Sequence, residues 1–216
     1  MSDVVANGTS FPRDDEQLDA IDWHALAESS AAAGSATIRV WCIGCTTGEQ
    51  AYALALRAAE AFAPADPLVQ ILATDGSRAA LAAAARGRYR DGAMPALDER
   101  LRTSYFRRAG EQLVASERLR RAVRFMAHDL ATDPIPPPRH GPFDLIVCLQ
   151  LLDLDQPSAE RVLEALRSEG TLAPGGMLVL GTGDEPTGAI SPAERIRRRR
   201  ALARAALERS SIRPGT

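Results

Sequence analysis

Lysine is absent from this chain of 216 residues, and all 26 of its basic side chains are arginines. This absence excludes the phosphate-binding loop G-x-x-x-x-G-K-[ST], whose chemistry depends on a lysine that reaches the nucleotide phosphates. The 28 acidic residues leave a formal net charge of −2, so the composition gives no general case for a nucleic-acid partner. We therefore expect neither a phosphate-binding loop nor nucleic acid as a partner.

Cysteines and long apolar runs are also scarce. The three cysteines, Cys42, Cys45 and Cys148, are odd in number and lack the spacing of metal ligands, and no apolar signal segment precedes them. No apolar run approaches the roughly 18 residues of a membrane span. We expect a reduced, cytoplasmic protein with no metal site and no membrane insertion. Cys45 has two interpretations, a small turn residue or a thiol activated by the start of a helix.

Apolar runs and helix-forming segments alternate along the chain. This order predicts an α/β fold with a doubly wound, mostly parallel sheet, in which the first, second and fourth strands are adjacent near the centre. The fourth run is almost continuously apolar, which is typical of a strand in the middle of a parallel sheet. The predicted strands are Thr37–Ile43, Leu68–Asp75, Ala122–Leu130, Phe143–Leu152 and Pro174–Glu185, and the predicted helices are Glu49–Phe62, Arg78–Arg86 and Pro157–Leu172.

Composition divides the chain into a leader, a central domain and a tail. Residues 1–36 are a largely polar leader, and residues 37–190 form the α/β domain. A segment of mixed patterning, at about residues 87–121, is predicted to be a small inserted subdomain, in which Leu113–Ala115 starts a strand and Leu97–Arg108 is helical. Residues 191–216 are a basic helical tail, with two interpretations: a solvated helix, or a patch for an acidic or nucleic-acid partner.

The stretch "RVWCIGCTTGEQAYALAL" (Arg39–Leu56) predicts a buried strand, a glycine turn and a helix, which is how a βαβ unit begins. Gly44 and Gly48 do not have the G-x-G-x-x-G spacing of a dinucleotide site. Asp75, at the end of the second strand, can accept hydrogen bonds from both hydroxyls of a ribose. S-adenosylmethionine fits better than NAD, because it has a ribose and an adenine but no phosphate. Plain turn glycines and an aspartate that caps the next helix are the alternatives.

Several blocks of the sequence, taken in order, resemble the CheR-type chemotaxis methyltransferases, which transfer methyl from S-adenosylmethionine to receptor glutamates. "NGTSFPRDDEQ" is similar to the family's N-x-T-x-F-F-R-D, and the glycine-turn stretch is similar to R-V-W-x-x-G-C-S-T-G-E-E-x-Y-S-x-A. "ILATDGSRAALAAAARGRY", "VRFMAHDL", "GPFDLIVC" and "LAPGGMLVLGTGDE" follow in place. The resemblance covers roughly Asn7–Glu185 and implies a Rossmann-like methyltransferase fold. The family's helical N-terminal domain, which precedes the first of these blocks, has no counterpart here.

The resemblance also implies which residues bind the cofactor. At the methionine end they are Gly44, Cys45 and Glu49. Asp75 would take the ribose hydroxyls. Thr9 and Arg13 fall on the segment that closes over the cofactor, and Arg13, which would help to arrange the reacting groups, is the catalytic candidate. The other cofactor-binding candidates are Gly48, Asp129, which stands where the family has an asparagine near the nucleoside, Leu130, Leu149 and Gln150.

The chain departs from the family where the fourth strand ends. The family's C-R-N-V-x-I-Y-F is "CLQLLDLD" here, so Leu149 replaces arginine, Gln150 replaces asparagine and the tyrosine is missing. The resemblance implies an enzyme that methylates a glutamate carboxylate of a protein substrate, such as a chemoreceptor or signalling protein, and leaves S-adenosylhomocysteine. The alternative, from a different class, is a regulatory or scaffolding module that binds S-adenosylmethionine with weak or no methyl transfer.

Overall fold

The structure of the protein, a computed structural model, describes residues 15–65, 68–90, 99–149 and 156–181. The leader before residue 15 and the predicted basic tail at residues 191–216 lie outside the described residues. Within those four ranges, no helix combines the length and the apolar character that crossing a bilayer requires.

Five parallel strands form the central sheet. They are β1 (Ile38–Ile43), β2 (Val69–Asp75), β6 (Val123–Ala127), β7 (Phe143–Cys148) and β8 (Leu172–Leu180). Their order across the sheet is β6-β2-β1-β7-β8, and every pair is parallel. Ile43 therefore lies beside both Thr74 and Cys148. The predicted doubly wound sheet, with its first, second and fourth strands adjacent, is confirmed.

Helices cover both faces of this sheet. They are α1 (Asp15–Asp19), α2 (Trp23–Ala32), α3 (Glu49–Ala61), α4 (Arg78–Arg86) and α7 (Gln156–Arg167). Val40 and Leu145 belong to the core on the side of α2 and α3, whereas Trp41 and Ile146 belong to the core on the side of α7. All six residues of β7 are buried. Burial on two faces explains why the sequences of the central strands are almost continuously apolar.

A second, smaller sheet occupies the predicted insertion. It has three antiparallel strands in the order β3-β5-β4. The elements of the insertion are β3 (Arg88–Arg90), α5 (Glu99–Tyr105), β4 (Phe106–Ala109), β5 (Gln112–Ala115) and α6 (Glu117–Ala122). The strand expected to start at Leu113 is confirmed as part of β5. We call this sheet the inserted sheet.

The helix predicted for Leu97–Arg108 is wrong beyond Tyr105. Phe106 instead opens β4, pairs with Ala115 and is buried. The two-residue connection between β4 and β5 contains Gly110 at φ +64°, which is the conformation that tight hairpins require. Pairing with a strand that follows in the sequence therefore overrides the helical pattern of the segment.

Other predicted ends differ from the structure by a few residues. Ala122 ends α6 and does not belong to β6, and β6 ends at Ala127 because the next residues turn towards the following loop. In that loop Nε2 of His128 lies 3.0 Å from the carbonyl oxygen of Pro134. The strand predicted through Leu152 ends at Cys148, and the helix predicted through Leu172 ends at Arg167, since Leu172 begins β8. The positions after residue 181 in the fifth predicted strand lie outside the described residues.

Candidate functional site

The carboxyl ends of β1 and β2 meet the glycine turn, residues Gly44–Gly48, which joins β1 to α3. The chain passes from β1 to β2 and β6 on one side of the sheet and then to β7 on the other, so the strand order reverses between β1 and β7. Open parallel sheets bind ligands in the crevice outside the strand ends at such a reversal. The fold thus brings the glycine turn and Asp75 to the edge where a cofactor is expected.

The backbone of the glycine turn is unusual. Three of its residues have positive φ, namely Gly44 (67°), Thr46 (45°) and Gly48 (92°). The amide of Cys45 donates to the carbonyl oxygen of Thr74 at 3.0 Å, and this bond ties the turn to the end of β2. A left-handed conformation is strained for a β-branched residue such as Thr46, so the surrounding contacts must hold it in place.

Asp75 supplies one of these contacts. One carboxylate oxygen accepts the amide of Thr46 at 2.9 Å, and the other accepts the amide of Ser77 at 2.8 Å. The residue that caps α4 is Ser77, whose hydroxyl oxygen accepts the amide of Ala80 at 3.2 Å, so the interpretation of Asp75 as the helix cap is wrong. Each carboxylate oxygen has a further lone pair for a ligand hydroxyl. Asp75 is partly exposed at the crevice.

Glu49 lies in the first turn of α3 with only 9% of its surface exposed. The hydroxyl of Thr47 donates to this carboxylate and lies 2.6 and 2.7 Å from its two oxygens. A carboxylate near a helix N-terminus is stabilised by the helix dipole and by the free amides there. A buried carboxylate in this position is suited to accept hydrogen bonds from a cationic group such as an ammonium.

The thiol of Cys45, in the same turn, is buried. Burial raises its pKa to about 12, and the negative charges of Asp75 and Glu49 contribute in the same direction. Cys45 is therefore a neutral thiol at physiological pH, which contradicts the interpretation of it as an activated nucleophile. Burial also raises the pKa of the Cys42 thiol. The carboxylates of Asp75 and Glu49, whose charges act on this neutral thiol, give the site a negative character that suits a cationic ligand.

The close packing around Gly48 explains why a glycine is needed at this position. A Cβ at this position would lie 2.9 Å from the Cβ of Ala84 and 3.1 Å from the hydroxyl oxygen of Tyr89. Together with its φ of 92°, this crowding supports the turn-glycine interpretation of Gly48. A contact between Gly48 and the cofactor stays a prediction.

Two further candidates follow β6. The amide of His128 donates to the carbonyl oxygen of Asp75 at 3.1 Å, which places Asp129 close to the end of β2. Asp129 is exposed, and its side chain accepts the amide of Ala131 at 2.9 Å. Leu130 is partly buried and packs against the core on the α7 side of the sheet. Their placement at the carboxyl edge agrees with a nucleoside contact, which stays a prediction.

Leu149 directly follows β7 and is 5% exposed, as part of the core cluster on the α2 and α3 side. Its buried apolar side chain has no hydrogen-bonding group to offer a cofactor. The candidates Thr9, Arg13 and Gln150 lie outside the described residues and stay predictions. Across the described ranges, no group of three or more potential metal ligands comes together.

Sequence reasoning missed three residues that build the turn. Thr46 joins it to Asp75, Thr47 joins it to Glu49, and the hydroxyl of Tyr89 donates to the carbonyl oxygen of Thr47 at 3.0 Å. The two threonines are visible in the sequence as part of the turn. Tyr89 comes from the inserted sheet, 42 positions away from Thr47, and no local pattern predicts that contact.

A doubly wound parallel sheet with an acid at the end of its second strand and a glycine turn after its first defines the class of nucleoside-cofactor folds. Within that class, the family described as "CheR methyltransferase, SAM binding domain" matches residues 7–196, and the chain belongs to this family. Family membership confirms the resemblance drawn from the sequence blocks and the expectation of S-adenosylmethionine as cofactor.

The chain is also similar to individual known proteins. A chemotaxis protein methyltransferase of Listeria monocytogenes is 31% identical over 181 residues, which are 80% of this chain and 65% of that protein. An uncharacterised 104.1 kDa protein of Rhodobacter capsulatus is 35% identical over 159 residues, which are 71% of this chain and 16% of that protein. The chain thus spans less than two thirds of the length of either relative. Among solved structures, a TehB-like SAM-dependent methyltransferase from Corynebacterium glutamicum has a TM-score of 0.42 at 15% identity, over 87% of this chain and 77% of that one.

The hydrogen-bond acceptors at the site fit this cofactor. S-adenosylmethionine carries a sulfonium and an ammonium, and the carboxylates of Glu49 and Asp75 are both close enough to the neutral thiol of Cys45 to raise its pKa. Its ribose offers two hydroxyl donors, and both oxygens of Asp75 have acceptor capacity left after their backbone bonds. The absence of lysine and of a dinucleotide glycine pattern agrees with a cofactor that has no phosphate.

Proposed function

We infer that this chain is a methyltransferase that uses S-adenosylmethionine to methylate a carboxylate side chain of a protein. The observation that carries this inference is the joint placement of Asp75 and Glu49 around the glycine turn, in a chain of the CheR family. An acid that suits a ribose and an acid that suits an ammonium then contact adjacent residues of one turn, Thr46 and Thr47.

Each described site residue has a proposed role. The carboxylate of Asp75 accepts the ribose hydroxyls, and the buried carboxylate of Glu49 accepts the ammonium of the methionine end. The backbone of Gly44 and Cys45 lies against that end, and Asp129 and Leu130 lie near the nucleoside. Arg13 and Thr9 remain the residues proposed to close over the cofactor and to arrange the reacting groups.

When bound, S-adenosylmethionine supplies a methyl group that its sulfonium has already activated. The acceptor carboxylate is ionised at pH 7, so its oxygen bonds to the methyl carbon without prior loss of a proton. The carbon–sulfur bond would break in the same step with its electron pair staying on sulfur, so the products would be a methyl ester and S-adenosylhomocysteine. Since no proton moves, the protein's contributions are alignment of the reactants and exclusion of water.

The proposed acceptor is a glutamate side chain on a chemoreceptor or another signalling protein. The relative in Listeria is named a chemotaxis protein methyltransferase, and relatives in Pseudomonas are named probable biofilm formation methyltransferases, which supports a protein substrate of this kind.

The test is transfer of a radiolabelled methyl group from S-adenosylmethionine to candidate acceptor proteins by the purified chain. We expect label that mild alkali releases as methanol, because methyl esters hydrolyse in base whereas methylated amines do not. Base-stable label would contradict a carboxylate acceptor. Calorimetric binding of S-adenosylmethionine without labelling of any acceptor would support the alternative of a binding module, for which the apolar, buried Leu149 is the relevant observation.

A further inference from the structure

Tyr89 connects the inserted sheet to the glycine turn. It lies in β3, is 6% exposed, and donates its hydroxyl to the carbonyl oxygen of Thr47 at 3.0 Å. Its ring packs edge-on against Tyr52 at 6.1 Å between centroids, and its oxygen lies 3.1 Å from where a Cβ of Gly48 would be. The phenol is thus held in one place, against the side of the turn that leads into α3.

Thr47 transmits this contact to the cofactor site. While its carbonyl oxygen accepts the bond from Tyr89, its hydroxyl donates to the carboxylate of Glu49 at 2.6 and 2.7 Å. The position of that hydroxyl depends on the backbone of Thr47, which follows the strained Thr46. Loss of the bond to the carbonyl oxygen would free this backbone to rotate and would carry the hydroxyl away from Glu49.

The turn is therefore held from two sides. Asp75 and the carbonyl oxygen of Thr74 hold Thr46 and Cys45 from the central sheet, whereas Tyr89 holds Thr47 from the inserted sheet. Burial, and then the charge of Glu49, raise the pKa of Tyr89 far above its usual value. Its hydroxyl is consequently protonated and able to donate at physiological pH.

We propose that Tyr89 is a positioning residue for the cofactor: its hydroxyl fixes Thr47 and thereby sets the carboxylate of Glu49 that receives the methionine end. The proposal rests on the proposed role of Glu49 at that end. It follows that the inserted sheet contributes to the affinity for S-adenosylmethionine without itself touching the cofactor.

The test compares binding of S-adenosylmethionine and of adenosine to the full chain and to Tyr89→Phe. This substitution keeps the ring and its packing but removes the donor. Affinity for S-adenosylmethionine should fall about 3- to 10-fold, the effect of one hydrogen bond, whereas affinity for adenosine should stay within about twofold. A general structural defect would lower both affinities together, and that result, or no change in either, would overturn the proposal.

Tyr105→Phe is the matched control. Tyr105 is also a buried tyrosine of the insertion, but its hydroxyl donates to Glu60 at 2.8 Å, in the last turns of α3. The Tyr105→Phe variant should bind S-adenosylmethionine like the unaltered chain. An equal loss of affinity in both tyrosine variants would contradict a specific role for Tyr89. If Tyr89→Phe does not fold, Thr47→Val removes the hydroxyl that contacts Glu49 and should show the same selective loss.

The experiment separates this proposal from the proposed function. If the unaltered chain binds neither S-adenosylmethionine nor adenosine, the proposed function fails, and the inference about Tyr89 fails with it. If the unaltered chain binds S-adenosylmethionine and both Tyr89→Phe and Thr47→Val bind it equally well, the inference about Tyr89 alone is wrong.

Discussion

The central sheet and the inserted sheet both contact the glycine turn, but they are stabilised differently. The central strands β1 and β7 are buried on both faces, so apolar packing fixes their place. In the inserted sheet Tyr89 and Leu113 pair and are buried, whereas the neighbouring Arg88 and Arg107, which both pair with Val114, are exposed. The comparison shows that the larger sheet supplies the framework of the site, whereas the smaller one supplies a single buried hydroxyl to it.

The largest expected effect concerns the framework. Trp41→Ala, at a fully buried position of β1, should lower the free energy of unfolding by about 3–5 kcal/mol, because it leaves a large cavity and also removes the bond from Nε1 to the hydroxyl of Thr74. Arg107→Ser, at an exposed position of the inserted sheet, should change the free energy of unfolding by no more than about 0.5 kcal/mol. Urea unfolding measures both values. Similar losses in the two variants would refute the difference between the sheets.

The next effect concerns the contribution of the central sheet to the affinity for the cofactor. Asp75→Ala should weaken S-adenosylmethionine binding by about 1.5–3 kcal/mol, the range for hydrogen bonds to a charged group. Calorimetry measures the affinity, and a thermal melt checks that the fold is intact. Asp19→Ala is the control, because Asp19 is an exposed acid that pairs with Arg57, two turns along α3 from the site. Unchanged affinity in a folded Asp75→Ala would show that Asp75 serves only to hold the turn.

The smallest of the three effects concerns the place where the glycine turn meets α4 and the inserted sheet. Gly48→Ala and Gly34→Ala both put a side chain on a residue with positive φ, 92° and 82° respectively. A Cβ at Gly34 meets nothing within 4 Å, whereas one at Gly48 meets Ala84 at 2.9 Å. Gly48→Ala should therefore be the less stable by about 1–3 kcal/mol, the cost of overpacking. Equal stabilities in urea would show that the contact with Ala84 relaxes freely.

Sequence reasoning was most successful where local pattern and tertiary environment agree. The apolar runs of β1, β2 and β7 predict buried parallel strands, and those strands are adjacent. The prediction was wrong at Phe106, where the helical pattern of the preceding residues continues but pairing with Ala115 makes a strand. The third predicted strand also began one residue too early, at Ala122, which ends α6, a difference of the size usual at element boundaries.

At the candidate site, too, the sequence identifies some features and only the structure explains others. The glycines, Glu49 and Asp75 are recognisable in the sequence, because each lies at the end of a predicted element and within a block that resembles the family. The sequence does not distinguish a glycine needed for packing from one needed for a ligand, and at Gly48 the contact with Ala84 makes that distinction.

The amino-acid sequence by itself therefore determined the fold class, the family and the edge of the sheet at which the cofactor residues lie, because periodicity and short motifs are local properties. Only the tertiary structure decided what holds those residues. It placed Thr46 on Asp75 and Tyr89 on Thr47, contacts that join positions 29 and 42 apart in the chain. The physical reason is that hydrogen bonds between distant segments depend on how the two sheets pack, and that packing leaves no pattern in the sequence near either partner.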